Sequence, residues 1–240
     1  MIRFRGTSFS YRRGEAVIAN LDLEIGPGLT LLLGENGCGK STLLKLAAGI
    51  ESPDAGTVEI GGHDLWRDEV AARRDLAYVA EQPDLTPYAT IREILELVCR
   101  LRGVPTTQVQ EAMARAALPA SLAHRSVREL SMGQRRKAVL AAARIGTPRY
   151  ALLDEPLEAM DRAARADILE WIGGLLDAGA TVVVVSHDIE PFVARAARAL
   201  ALRGGRLASY EALPGDLGER LVMLDQLARG GSASPISTSP

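Results

Sequence analysis

A glycine-rich segment near the N-terminus combines residue types that can bind phosphate: Gly34-Glu35-Asn36-Gly37-Cys38-Gly39-Lys40-Ser41. It fits the spacing G-x-x-x-x-G-K-[ST] and lies between an apolar run, residues 29–33, and a helix-like segment. Glycines let such a loop turn its backbone N–H groups towards phosphate oxygens, and the helix adds its positive N-terminal end. Lys40 is predicted to contact the β- and γ-phosphates and Ser41 to ligate Mg²⁺. The Cys38 thiol occupies a free position and has no predicted role.

Two acids follow a second apolar run, residues 150–153. Asp154 and Glu155 are therefore expected at the carboxyl edge of a sheet, where open α/β folds bind their ligands. Asp154 is a candidate Mg²⁺ ligand, and Glu155 a candidate general base that activates water. Such a pair alone could equally be structural, but together with the phosphate-binding loop it favours hydrolysis of a nucleotide.

A third segment, Ser131-Met132-Gly133-Gln134, has the S-x-x-Q spacing of a helix capping box. Two interpretations of it stay open. It is either a well-capped helix start, or a helix end whose free amides and hydroxyl bind an anion.

The elements that position these residues are read from hydrophobic periodicity. Short strands are expected within residues 2–25, and further strands at 29–33, 57–60 and 76–80. Residues 83–147 read as an all-helical insertion, in which Thr90 and Glu93 form a capping box. The runs 150–153 and 181–185 predict a parallel sheet, and Gly204-Gly205 a hairpin. A short amphipathic helix is expected near residues 217–224, and a frayed tail after about residue 230.

The composition is that of an ordinary globular protein: 240 residues, 47% hydrophobic, 24% charged, with a net charge of −2. It excludes disordered, collagen-like and disulfide-rich classes and gives no sign of a nucleic-acid-binding surface. The sequence contains no apolar run long enough for a membrane span and no signal peptide at its start. Its two cysteines are expected to be reduced, in the cytoplasm.

In its motifs the chain resembles the nucleotide-binding subunit of ABC (ATP-binding cassette) transporters over residues 2–208. Five motifs occur in that family's order: the phosphate-binding loop at 34–42, Gln82 after a strand, Leu-Ser-x-Gly-Gln at 130–134, Leu-Leu-Asp-Glu-Pro at 152–156 and Ser-His-Asp at 186–188. The resemblance implies an α/β fold with a P-loop NTPase (RecA-like) core, an N-terminal antiparallel β-subdomain and an inserted α-helical subdomain. The ATPase domain would span residues 1–210, with the helical subdomain at about 83–147 and a short helix and flexible tail at 211–240.

The resemblance also implies roles for single residues. Tyr11 matches an aromatic residue that stacks on adenine, although it could simply pack on its strand. Gln82 matches a glutamine that contacts Mg²⁺ and the attacking water and links the core to the helical subdomain. Asp161 matches an aspartate that communicates between opposing sites, and it could also cap the helix that follows. His187 matches a histidine that contacts the γ-phosphate.

The expected site therefore divides by function. Catalysis is assigned to Glu155, His187 and Gln82, and Mg²⁺ ligation to Ser41, Gln82 and Asp154. ATP binding is assigned to Tyr11, Gly34, Glu35, Asn36, Gly37, Cys38, Gly39, Lys40, Ser41 and Thr42. A second copy would contribute Ser131, Met132, Gly133 and Gln134, because in the family two subunits pair head to tail with each ATP between them.

Two departures from the family pattern stand out. Met132 replaces the first glycine of Leu-Ser-Gly-Gly-Gln, while Ser131 and Gly133 remain, so activity is expected to survive. Glu158-Ala159-Met160 replaces a run of small residues before Asp161, which leaves the communication between sites open.

The implied partners are a second ATPase subunit, with a homodimer favoured, and a separate membrane permease that holds the subunit on the inner face of the cell membrane. The segment from Thr90 to Val104 resembles export-type relatives, so export is favoured over import. The alternative is a soluble ABC ATPase that acts as an assembly or scaffold factor. A P-loop ATPase of another family is a remote third possibility.

Overall fold

The computed structural model describes residues 1–12, 14–82 and 85–231. In chain order the elements are β1 (Ile2–Arg12), β2 (Glu15–Ile25), β3 (Gly28–Leu33), α1 (Lys40–Ala47), β4 (Ala55–Ile60), β5 (His63–Asp64), α2 (Glu69–Arg73), β6 (Leu76–Val79), α3 (Ile91–Arg102), α4 (Gln108–Arg115), α5 (Met132–Arg144), β7 (Tyr150–Asp154), α6 (Arg162–Asp177), β8 (Thr181–Val185), α7 (Glu190–Val193), β9 (Ala196–Arg203), β10 (Arg206–Tyr210) and α8 (Leu217–Ala228). Two 3₁₀ turns, Ala120–Leu122 and Val127–Glu129, lie between α4 and α5.

The N-terminal sheet is antiparallel, with strand order β2-β1-β4-β5. The sequence predicted several short strands in residues 2–25, whereas the structure has two strands of 11 residues each. Shifts in the pairing register of β1 and β2, the first after Phe4, break the alternation of apolar residues, and this is why the pattern reads as shorter pieces. Ile2, Phe4 and Ile18 are fully buried against the rest of the molecule.

The second sheet has the order β10-β9-β3-β8-β7-β6. All of its strands are parallel except β10, which pairs antiparallel with β9 through the Gly204-Gly205 turn. The predicted parallel sheet and hairpin are thus confirmed. Because β3, β8, β7 and β6 are successive neighbours, the segments that follow their carboxyl ends lie side by side at one edge of the sheet.

Hydrophobic packing joins these layers. One cluster lies between the two sheets and includes Leu44 and Leu46 of α1. Another covers the opposite face of the parallel sheet with Ile168 and Ile172 of α6 and Leu224 of α8. The mixed α/β architecture with an antiparallel sheet agrees with the expected fold class.

The segment between β6 and β7 has a hydrophobic cluster of its own. Leu95 and Cys99 of α3, Met113 of α4, and Leu130 just before α5 pack together there. The predicted capping box is confirmed: Thr90 accepts a hydrogen bond from the Glu93 N–H, and the Glu93 carboxylate accepts one from the Thr90 N–H at 2.8 Å. In the described part of residues 83–147 the one strand-like feature is an isolated bridge between Thr90 and Ser126.

The C-terminal helix predicted from leucine spacing is α8, and Met223, Leu224 and Leu227 bury its inner face. Leu217, which fits the same apolar spacing as Leu221 and Leu224, is exposed at the start of the helix. The predicted frayed tail falls mainly on residues 232–240, outside the described residues. Among the described helices, none has the length and apolar character needed to cross a membrane.

Candidate functional site

One cavity of about 450 Å³ lies at the edge where β3, β8, β7 and β6 end. Its lining comes from β1, β2, the loop after β3, the start of α1 and the segments after β6, β7 and β8. The residues are Tyr11, Val17, Asn36, Gly37, Gly39, Lys40, Ser41, Thr42, Glu81, Asp154, Glu155, Val185 and His187. Segments distant in the sequence therefore meet at a single site that contains both cationic and acidic side chains.

The loop after β3 leads directly into α1. Gly39 caps the helix with φ 109°, and within the described part of the chain no side chain accepts a capping hydrogen bond from the first amides of α1. A Cβ at Gly39 would lie 2.8 Å from Val17 Cγ1, so glycine is required for both conformation and space. The unoccupied amides and the helix dipole make this helix end suited to an anion. Gly34, Glu35 and Cys38 belong to the loop but do not line the cavity.

The Lys40 side chain folds back onto the start of the phosphate-binding loop. Its ammonium donates hydrogen bonds to the carbonyl oxygens of Gly34 at 2.8 Å and Glu35 at 2.9 Å. These contacts keep Nζ close to the loop, and the lysine lines the cavity, so its charge is available to a phosphate group bound there.

Asp154 ends β7 and is almost fully buried. Burial raises the pKa of its carboxyl, the charge of Glu81 adds to the rise, and the neighbouring Ser41 hydroxyl and Lys40 act in the opposite direction. A hydroxyl and a carboxylate side by side are the hard oxygen donors that Mg²⁺ prefers. Ser41 and Asp154 therefore fit the expected metal.

Glu155 follows Asp154 in the left-handed region of backbone conformation, with φ 50°. Its N–H donates to the Val185 carbonyl at 2.9 Å, and its Oε2 accepts from the His187 N–H at 3.2 Å. The Ser186 hydroxyl lies 3.4 Å from the same oxygen. Burial raises the pKa of the Glu155 carboxyl, although the His187 N–H opposes the rise. The carboxylate is thus held in position and made more basic, as a general base requires.

His187 and Tyr11 stand at the open side of the cavity. The His187 side chain is 68% exposed, and its Nε2 lies 3.7 Å from Glu155 Oε1. The Tyr11 hydroxyl lies 3.3 Å from Thr42 Oγ1, and its ring meets Phe9 edge-on with centroids 4.8 Å apart. Tyr11 is 55% exposed, so its ring is accessible at the cavity to a flat partner.

The structure places Glu81, rather than Gln82, at the cavity. Gln82 was the residue expected to contact Mg²⁺ and water, but it is exposed and does not line the cavity. The strand β6 ends at Val79, and Glu81, two residues further on, lies close enough to Asp154 for its charge to raise the pKa of that carboxyl. The contacts expected of Gln82 with Mg²⁺ and water stay a prediction, and Glu81 is an acid of the cavity lining that the sequence motifs did not single out.

The Ser131 segment caps α5 as predicted. The Gln134 N–H donates to Ser131 Oγ at 3.3 Å, and the Ser131 N–H donates to Gln134 Oε1 at 2.9 Å. Ser131, Met132 and Gly133 are exposed, and no residue of 130–134 is among the described residues that line the cavity. This helix end is thus exposed and lies outside the chain's own phosphate-binding cavity.

Asp161 caps α6, since its carboxylate accepts from the Ala164 N–H at 2.9 Å. This confirms the capping expected of it, and its role between opposing sites stays a prediction.

A larger groove of about 720 Å³ lies beside α6, lined by Arg144, Asp167 and Trp171 among others. It lacks a glycine-rich loop and the sheet-edge acids, so the smaller cavity is the better candidate for nucleotide chemistry.

Comparison with known proteins gives a consistent result. The profile of the family described as ABC transporter matches residues 18–158. An Fe(3+) ions import ATP-binding protein of Rhodococcus jostii is 34% identical over 201 residues, which are 81% of this chain and 58% of the relative. A Nod factor export ATP-binding protein of Rhizobium etli is 34% identical over 212 residues, covering 87% of this chain and 67% of the relative.

Among solved structures, the dimeric structure of a bacterial ABC transporter cassette matches with a TM-score of 0.74 and 28% identity. The match covers 87% of this chain and 98% of that chain. The chain spans 58% of the length of the import relative named above.

Proposed function

Because the chain belongs to the ABC transporter family, we propose that it is an ATP-hydrolysing subunit that dimerises head to tail around ATP and powers a separate membrane permease. The observation that carries this proposal is the separation of the phosphate-binding cavity from the Ser131 helix end. Both are suited to anions, but only a second copy can bring them to one triphosphate.

The residues of the cavity can supply the phosphate-binding, metal-binding and general-base groups that ATP hydrolysis needs. Lys40 and the amides at the start of α1 would bind the β- and γ-phosphates. The Glu155 carboxylate would accept a proton from the attacking water, and His187 at the cavity mouth would contact the γ-phosphate. Mg²⁺, held by Ser41 and Asp154, would neutralise charge that develops on the phosphate oxygens.

ATP then acts as a ligand of the closed dimer, because each molecule contacts both copies only in that state. Loss of the γ-phosphate would remove the contacts of Ser131, Gly133 and His187 and let the dimer open. The helical segment between β6 and β7 would pass this motion to the permease, which would hold the subunit at the inner face of the membrane. The dimeric structure of a similar ABC transporter cassette supports the dimerisation in this proposal.

The direction of transport differs among the relatives of this chain. Names of relatives include both import and export, and import is the more frequent. The preference for export rests on the segment from Thr90 to Val104 alone and stays a prediction.

The test measures ATP hydrolysis by the purified chain and its copurification with a membrane protein. The purified chain should hydrolyse ATP with positive cooperativity in ATP concentration, because two nucleotides are shared between two copies. When expressed with the genes that neighbour its own, it should copurify in detergent with a protein that has several membrane spans. Turnover without such a partner would favour the soluble assembly factor, and no turnover at all would contradict the proposal.

The pH dependence of turnover should reflect the environment of Glu155. Burial raises the pKa of this carboxyl, so the active, deprotonated form is lost at a higher pH than for an ordinary glutamate. As pH falls, kcat/KM is expected to decline with a midpoint above the usual value of about 4.3. Measuring ATP affinity over the same pH range separates this effect from ionisation of the nucleotide. A midpoint at or below the ordinary value would contradict the assignment.

A further inference from the structure

Arg136 is a buried arginine of α5 whose contacts are not explained by the functions assigned so far. It is the fifth residue of the helix, about one turn beyond the Ser131 end. Its guanidinium donates to the backbone carbonyl of Glu155, and it also donates to the carbonyl of Glu81 at 3.3 Å. One side chain of the Ser131 helix therefore holds the two segments that follow β7 and β6 at the cavity.

The carbonyl that Arg136 holds belongs to a residue with an unusual backbone. Glu155 has positive φ, which L-residues adopt only where surrounding contacts enforce it. Its N–H is fixed by Val185, and its carbonyl also accepts from the Glu158 N–H at 3.2 Å. Arg136 adds a charged donor to that carbonyl, and charged donors form the stronger hydrogen bonds. Arg136 thus helps to hold the backbone from which the Glu155 carboxylate projects.

Glu158 completes the arrangement. Its Oε2 lies 3.7 Å from the Arg136 guanidinium, and the Glu158 side chain is 53% exposed. This residue stands where the sequence departs from the small residues usual in the family. An acid at this position can form an ion pair with Arg136, whose guanidinium donates to the carbonyls of Glu155 and Glu81.

We propose that Arg136 is a positioning residue that couples the Ser131 helix end of one copy to Glu155 of the same copy. The proposal rests on the proposed function, in which the Ser131 end binds the ATP held in the partner's cradle. Movement of α5 on binding that ATP would shift the guanidinium and with it the Glu155 backbone. Arrival of ATP at one site would thereby align the general base of the other.

The test replaces Arg136 by Gln and by Lys in the full chain. Arg136→Gln is expected to lower kcat by about tenfold to 100-fold, the range that a small misplacement of a reacting group produces. The Kd for a non-hydrolysable ATP analogue should stay within about twofold, and the Hill coefficient for ATP should fall towards one. Arg136→Lys, which keeps the charge but can reach one carbonyl only, should recover part of kcat.

Arg135→Gln is the matched control, since Arg135 is the adjacent arginine of α5. It donates to the carbonyls of Val127 and Arg128, within its own helical segment, and should leave kcat and the Hill coefficient unchanged. Glu158→Gln removes the ion pair but not the carbonyl contacts, and because the pair is partly exposed, it should lower kcat by less than about fivefold. If Arg136→Gln does not fold, the Lys and Glu158 variants carry the test.

Two results would overturn the coupling role. One is a parent-like kcat and Hill coefficient in both Arg136 variants. The other is a parallel loss of kcat, nucleotide affinity and thermal stability, which would make Arg136 a structural residue. Failure of the proposed function is distinguishable, because then the parent itself shows no turnover that depends on Glu155.

Discussion

Replacing Glu155 by Gln is expected to lower the rate of ATP hydrolysis by about 10²- to 10⁴-fold while ATP binding is retained. The amide has the shape of the carboxylate and can still accept from the His187 N–H, so the loop after β8 should stay in place. The glutamine amide cannot accept a proton from water, whereas the buried Glu155 carboxylate can, because burial raises the pKa of its carboxyl. The variant should bind ATP and remain dimeric, because closure depends on binding and reopening depends on hydrolysis.

The measurement pairs phosphate release with molecular mass in the presence of ATP and Mg²⁺. Glu170→Gln is a suitable control, because it makes the same chemical change on α6, outside the cavity. The control should hydrolyse ATP at the parent rate and return to monomer as ATP is consumed. Parent-like turnover in Glu155→Gln would remove this residue from the role of general base.

The features that the sequence predicted well depend on short-range rules. The Thr90 and Ser131 capping boxes and the Asp161 cap were each read from three or four neighbouring residues, and each is present. The parallel strands β7 and β8 followed from continuous apolar runs between turns. Their shared edge then places Lys40 and Asp154 at one cavity, because strand order in this fold brings the ends of β3 and β7 to either side of β8.

The features that the sequence did not predict depend on contacts between distant segments. Glu81 lines the cavity and the adjacent Gln82 does not, and no periodicity in the sequence encodes which of two neighbouring side chains does so. Glu155 has a positive φ, and its carbonyl accepts a hydrogen bond from Arg136, which is 19 positions away in the sequence. Leu217 fitted the apolar spacing of α8 but lies at the helix start, beyond the surface that covers Leu224.

Replacing Ser131 by Asp is expected to abolish ATP-driven dimerisation and turnover, with a loss of at least about 100-fold, because a carboxylate would face a phosphate across the dimer interface. Asp caps helices as well as Ser does, so α5 should keep its first turn. Thr107→Asp is the control: Thr107 is the exposed N-cap residue of α4, where an acid suits the helix dipole, and it has no proposed phosphate partner. The control should dimerise and turn over ATP as the parent does.

Mixing two inactive variants tests whether Ser131 acts on its own chain or on its partner. Lys40→Ala disables the phosphate-binding loop, and Ser131→Asp disables the helix end. Neither homodimer therefore has a complete site. A mixed dimer has one complete site, made of the cradle from the Ser131 variant and the helix end from the Lys40 variant. Turnover should therefore reappear on mixing and rise with the fraction of mixed dimers. Its rate per complete site should stay about tenfold to 100-fold below the parent's, because the copy that supplies the intact cradle has a disabled Ser131 end and so loses the coupling through Arg136. If activity stays absent at every ratio while mass measurements detect mixed dimers, each copy uses its own helix end, and the head-to-tail arrangement is wrong.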